Sequence, residues 1–153
     1  LSHIRNQQIG FIFQQYNLIQ SLTVLENVEL PLIYQGVNAD DRREMSLEAL
    51  GRVGLAGRIK HKPVEMSGGQ QQRVAIARAI ATKPPIIMAD EPTGALDSHT
   101  GQEVLKFLQE LNREGSTVIL ITHDNGIAAT ARRIVRLADG KIIEDREQEV
   151  DWL

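Results

Sequence analysis

Asp90 and Glu91 follow the apolar run Ile86-Ile87-Met88-Ala89. A carboxylate placed directly after a buried strand can hold Mg²⁺, and a neighbouring glutamate can polarise an attacking water. Thr122, His123 and Asp124 follow a second apolar run, Thr117 to Ile121, and an imidazole there can donate to a transferring phosphoryl group. Gln14 follows a third run, Gln8 to Phe13. Ser67-Gly68-Gly69 sits at a predicted helix start. There the free N–H groups and the positive end of the helix dipole suit a phosphate, and glycines let the backbone come close. Phosphoryl transfer consists mostly of positioning and charge stabilisation, and these residue types supply both.

The elements that must position these groups alternate between strands and helices. The three apolar runs read as strands; Ile86 to Ala89 and Thr117 to Ile121 are apolar on both faces and are expected to be fully buried and parallel. Ligands bind outside the carboxyl ends of parallel strands, so Gln14, Asp90, Glu91 and His123 are expected on one edge of a sheet. Thr23 and Glu26 form a capping box for a helix with Val24, Leu25, Val28 and Leu32 on one stripe. Pro31 should kink or end that helix near Leu30. Asp40 to Val53 reads as an amphipathic helix, Gly68 to about Thr82 as another, and Asp97-Ser98 caps a third that ends at Gly115. The strand–helix–strand order predicts a right-handed βαβ unit. A short helix is expected over 127–131. Asp139-Gly140 between Ile134–Leu137 and Lys141–Ile143 signals a hairpin, and the acidic tail from Glu144 to Asp151 reads as solvated.

With 153 residues the chain is one domain's worth, and its 42% hydrophobic and 24% charged residues are ordinary for a globular protein. A net charge of -3 argues against a general nucleic-acid binder. Absence of cysteine excludes disulfides and thiolate metal sites. No apolar run approaches the ~18 residues that span a bilayer. The first residue is Leu1 rather than Met, as expected of a fragment or a processed chain.

Read together, these stretches resemble the ATP-binding cassette (ABC) ATPases. Met66-Ser67-Gly68-Gly69-Gln70 resembles that family's signature loop, with Met for the usual Leu, and Ile86 to Glu91 its Walker B strand and catalytic glutamate. Ala95-Leu96-Asp97 resembles the D-loop, His123 the switch histidine and Gln14 the Q-loop glutamine. The wording is most similar to the exporter subgroup that includes lipoprotein-releasing and macrolide-export ATPases. The resemblance implies an α/β fold: a partial P-loop NTPase-like parallel sheet core, an inserted helical subdomain and a C-terminal β-hairpin. It divides the chain into 1–20, with the first strand and Q-loop; 21–83, the helical subdomain with the signature loop; and 84–153, with Walker B, D-loop and switch histidine. It implies ATP and Mg²⁺ as cofactors, Asp90 as organiser of the metal and Gln14 as sensor of metal and water. Glu91 becomes the general base, and His123 contacts the γ-phosphate. Ser67, Gly68, Gly69 and Gln70 face ATP held by a second protomer in a head-to-tail dimer, and Asp97 acts across that interface. The other implied partners are transmembrane permease subunits, which places the protein in the cytoplasm on the inner face of the cell membrane.

One part of the family pattern is missing. No G-x-x-x-x-G-K-[ST] occurs; of Lys60, Lys62, Lys83, Lys106 and Lys141 only the last follows a glycine, and Ile142 then breaks the motif. The phosphate cradle and its lysine are absent from this sequence, so the chain resembles the C-terminal two-thirds of such an ATPase and is expected not to bind or hydrolyse ATP well alone. The competing expectations are a soluble ABC ATPase of DNA repair or translation, and a non-catalytic module that lends its signature loop to a partner.

Overall fold

A computed structural model describes residues 8–153; the start of the expected 1–20 segment lies outside the described residues. In chain order the elements are β1 (Ile9–Phe13), α1 (Val24–Tyr34), α2 (Ala39–Arg52), α3 (Gly68–Ile80), β2 (Ile86–Asp90), α4 (Ser98–Arg113), β3 (Thr117–Ile121), α5 (Asn125–Ala128), β4 (Arg133–Ala138) and β5 (Lys141–Glu147). The fold is α/β. Strands β1, β2 and β3 form a parallel sheet in that order, in the register Phe13↔Asp90↔Ile121. All three carboxyl ends therefore open on one edge. Strands β4 and β5 form a separate antiparallel hairpin. Its turn residues Asp139 and Gly140 sit at φ 50 and 74, the positive values that a tight primed hairpin turn requires.

Local sequence explains where the helices start. Thr23 Oγ1 accepts from the Glu26 N–H at 3.2 Å while Glu26 Oε1 accepts from the Thr23 N–H at 3.0 Å. Ser67 and Gln70 repeat this reciprocal arrangement at the head of α3, and Asp97 caps α4 through the Thr100 N–H. Each box satisfies donors that a helix start leaves without partners. Helices α1, α2 and α3 pack on one another, and α3 also packs on β1. The core between them contains Val28, Leu32, Leu50, Val74, Ile76 and Ile12.

Three expectations are corrected. Helix α1 does not end near Leu30 but runs through Pro31 to Tyr34. The fully buried Val28 and Leu32 flank that proline, and burying each is worth about 1.5–3 kcal/mol, enough to offset a broken turn that costs about 3 kcal/mol. Strands β2 and β3 are not fully buried: Ile86 and Met88 of β2 are half-buried. Thr117, Ile119 and Ile121 are exposed, because the described residues cover only one face of the sheet: in the row Ile12, Ala89, Leu120 the first two are fully buried, while the row Phe11, Met88, Ile119 lies on the open side. The short helix forms over Asn125–Ala128, earlier than expected, because Asp124 Oδ1 accepts from the Gly126 and Ile127 N–H groups and fixes its start. The acidic tail is largely exposed to solvent, as expected, and it is also ordered. It forms β5 through Glu147 and then docks on α4: the buried Gln109 amide donates to the carbonyls of Thr130 and Asp151 and accepts from the Leu153 N–H. Trp152 lies under the Arg113 guanidinium, 4.1 Å from the ring centroid.

Asn27 holds the entry to α1. Its buried side chain accepts from the Ile19 N–H at 2.8 Å and donates to the carbonyls of Ile19, Leu22 and Thr23. Replacing it strands several of these groups without partners. We expect Asn27→Ala to lower stability by about 2–3 kcal/mol, measured as a lower denaturant midpoint with an unchanged slope.

Candidate functional site

The register of β2 against β3 creates the centre of the site. Asp90 pairs with Ile121, and the chain then turns at Glu91, whose N–H donates to the Ile121 carbonyl at 2.9 Å. Glu91 has φ 44, a left-handed conformation rarely used by a residue with a long side chain and concentrated at functional sites. The turn directs its carboxylate towards the end of β3. Oε1 accepts from the His123 backbone N–H at 3.0 Å and lies 2.5 Å from His123 Nδ1; Oε2 accepts from the Thr122 hydroxyl at 3.3 Å. Thr122 in turn accepts from the Asp124 N–H. The sequence placed Thr122 and His123 on this edge but paired neither with Glu91; their position directly after the strand was the available signal.

Each partner shifts the other's proton affinity. The hydrogen bond to Glu91, and then its charge, raise the His123 pKa above the ordinary histidine value. For Glu91 the largest single influence is partial burial, which pushes the pKa up; the bonds from His123, its charge and the bond from Thr122 act the other way, and the net shift is downward. The stability from the raised His123 is fully present below the ordinary histidine pKa and is lost as pH rises through the raised one. That from the lowered Glu91 is present above the ordinary glutamate pKa and is lost as pH falls through the lowered one. The pair is thus fully formed only between the two values.

Gln14 and Asp90 lie beside this pair. With Phe13, Gln15, Asn17 and Glu91 they line a depression of about 240 Å³ at the carboxyl edge of the sheet. Its oxygen donors, a carboxylate on Asp90 and an amide carbonyl on Gln14, are hard ligands of the kind Mg²⁺ takes. Among the described residues no three His, Asp or Glu side chains cluster as a protein-only metal cage.

Ser67, Gly68, Gly69, Gln70 and Asp97 line a different depression, of about 540 Å³, between the starts of α3 and α4. It shares no lining residue with the first. The structure therefore brings Gln14, Asp90, Glu91 and His123 to one edge and leaves the glycine loop and Asp97 as a second, separate surface. The two helix starts touch closely: a Cβ added to Gly69 would lie 2.5 Å from Thr100 Cγ2. Ser67 and Gln70 spend part of their hydrogen-bonding capacity on each other, but the Ser67 hydroxyl accepts in that box and keeps its own proton to donate.

Sequence reasoning missed Gln72. It is fully buried in α3, and its Nε2 donates to the Pro92 carbonyl, just after Glu91, and to the Phe13 carbonyl, just before Gln14. Helical spacing places it on the apolar face, which was the only signal. Arg73 joins α3 to α4 through Glu103 and to the end of α2 through the Val53 carbonyl.

The sequence pattern of the ABC transporter family matches residues 2–94, more than half of the chain. The chain belongs to this ABC family. The Escherichia coli "Macrolide export ATP-binding/permease protein MacB" is 57% identical over 145 residues, which are 95% of this chain and 22% of that protein. The protein of the same printed name from Mannheimia succiniciproducens is 54% identical over 148 residues, 97% of this chain and 23% of its own. The chain thus spans less than a quarter of the length of these curated relatives. Among solved structures, the ATP-binding cassette MJ0796, described as dimeric in a post-hydrolysis state with ADP and Pi, superposes with a TM-score of 0.82 at 49% identity, covering 95% of this chain and 65% of that one. A second dimeric structure of MJ0796, described as a bacterial ABC transporter cassette, gives 0.82 at 50% identity. These neighbours are ABC ATPase cassettes of the P-loop NTPase fold, in agreement with the parallel sheet seen here.

In metal-free solution the His123 ring protons should titrate by NMR with a midpoint above the ordinary ~6.5. In Glu91→Gln that midpoint should fall back towards the ordinary value.

Proposed function

We propose that this chain is the part of an ABC exporter ATPase that carries its hydrolytic carboxylate and its signature loop. The observation that carries this reading is the Glu91 carboxylate, held by His123 and Thr122 at the sheet edge with Asp90 and Gln14 beside it. Glu91 acts as general base on the attacking water. His123 orients it and, once protonated, donates to the γ-phosphate. Asp90 and Gln14 hold Mg²⁺, which, when bound with ATP, neutralises charge on the phosphates. The separation of the glycine-loop surface from this edge supports a head-to-tail pairing, in which Ser67, Gly68, Gly69 and Gln70 of one protomer close on nucleotide held by the other and Asp97 lies along the contact. The dimeric state named for both MJ0796 structures supports the same arrangement.

Residues 21–83, containing α1, α2 and α3, serve as the helical subdomain towards transmembrane partners, with 1–20 and 84–153 forming the sheet core. The relatives' printed name, ATP-binding/permease protein, favours a membrane exporter over an ATPase of repair or translation. The chain then works at the inner face of the membrane; among the described residues no helix is long and apolar enough to cross one.

The sequence contains no phosphate-cradling G-x-x-x-x-G-K-[ST]. Titration calorimetry of this chain with Mg-ATP should accordingly show no binding up to about 1 mM. In a longer chain that supplies that loop, phosphate release should be Mg²⁺-dependent, and Glu91→Gln should slow it by about 10²-fold or more. An unchanged rate in Glu91→Gln would overturn the assignment of the base.

A further inference from the structure

The loop that carries Gln14 is a short turn, closed by the Tyr16 N–H donating to the Phe13 carbonyl at 3.2 Å. Directly after it, Tyr16 and Asn17 have φ 60 and 54. Two consecutive non-glycine residues in the left-handed region, one of them a bulky tyrosine, do not hold that conformation by themselves. Something outside the loop must fix it.

That something is α3, which grips the turn at both ends. At the near end the buried Gln72 amide donates to the Phe13 carbonyl at 3.3 Å. At the far end the half-buried Arg78 spreads its guanidinium over two carbonyls: Nη2 donates to Tyr16 and Nη1 to Asn17, each at 2.7 Å. The planar guanidinium fork suits such a two-point contact, and the permanent charge strengthens both bonds. Tyr16 also reaches back along the helix. A Cβ added to Gly68, the first residue of α3, would lie 3.0 Å from the Tyr16 hydroxyl. One rigid helix of 13 residues thus touches the Gln14 turn through Gly68, Gln72 and Arg78.

We propose that Arg78 is a positioning residue for Gln14: by holding the carbonyls of Tyr16 and Asn17 it locks the Gln14 turn to α3, so that this turn and the glycine loop at the head of α3 move as one body. The catalytic importance of that lock rests on the function proposed above; the lock itself does not. Arg78 does not itself line the depression that Gln14, Asn17 and Asp90 line, so its effect on the site passes through the backbone of residues 16 and 17.

The test is read on this chain by NMR, without nucleotide, and therefore stands apart from any ATPase assay. Arg78→Gln removes the charge and the fork; Arg78→Lys keeps the charge but can serve only one carbonyl well. In Arg78→Gln the Tyr16 and Asn17 amides are expected to exchange with solvent at least about tenfold faster, and the Gln14 backbone order parameter to fall from about 0.85 towards 0.6 or less. The amides of Ile87 and Ala89 in β2 should keep their rates. Arg78→Lys should lie between wild type and Arg78→Gln, and it carries the test if Arg78→Gln does not fold. Unchanged exchange at Tyr16 and Asn17, or equal acceleration throughout the sheet, would overturn the proposal, the latter because it marks a general loss of stability.

Discussion

The Gln72 side-chain amide is the contact on which the geometry of the sheet edge depends. It is fully buried, and its Nε2 joins the last carbonyl of β1 to the carbonyl of Pro92. Gln14 follows directly on the first and Glu91 directly precedes Pro92, so the two loops that line the smaller depression are tied at their roots by one side chain. A buried amide held this way is expensive to replace, because an apolar substitute removes the one donor that joins the two carbonyls and leaves Phe13 with only the Tyr16 N–H. The Gln72 carbonyl oxygen has no hydrogen-bond partner of its own, a cost the helix carries to hold the edge together.

Glu91 illustrates how backbone and chemistry meet. Its left-handed φ is the bend that takes the chain off β2 while the N–H still bonds to β3. Without that bend the carboxylate would continue in the direction of the strand and miss Thr122 and His123. Ion pairing with an exposed imidazole adds little to stability in water; its value lies in orientation, since three donors converge on one carboxylate and leave it few other rotamers.

Much of this could be read from residue patterns because the signals were local. Thr23 with Glu26, Ser67 with Gln70, and Asp97 before Ser98 each state a helix start within four residues, and Asp139-Gly140 states its hairpin. The polar residues after each apolar run then assemble because parallel strands share one carboxyl edge. What could not be read depends on partners distant in sequence. Pro31 is tolerated because Val28 and Leu32 find a core supplied by α2 and α3. Gln109 looks like any surface position on α4 until the tail folds back onto it. The composition of β3 states that it is apolar, but not that one side would lack a cover.

That open side of the sheet has a colloidal consequence. Phe11 and Phe13 stack there with ring centroids 5.9 Å apart, Met88 continues the surface, and Ile119 and Ile121 extend it to a strand whose outer edge is unpaired among the described residues. Apolar side chains next to free backbone donors and acceptors form a template for another strand. For this chain in isolation, high concentration is therefore a hazard: its sheets can pair edge to edge without any helix having to unfold first.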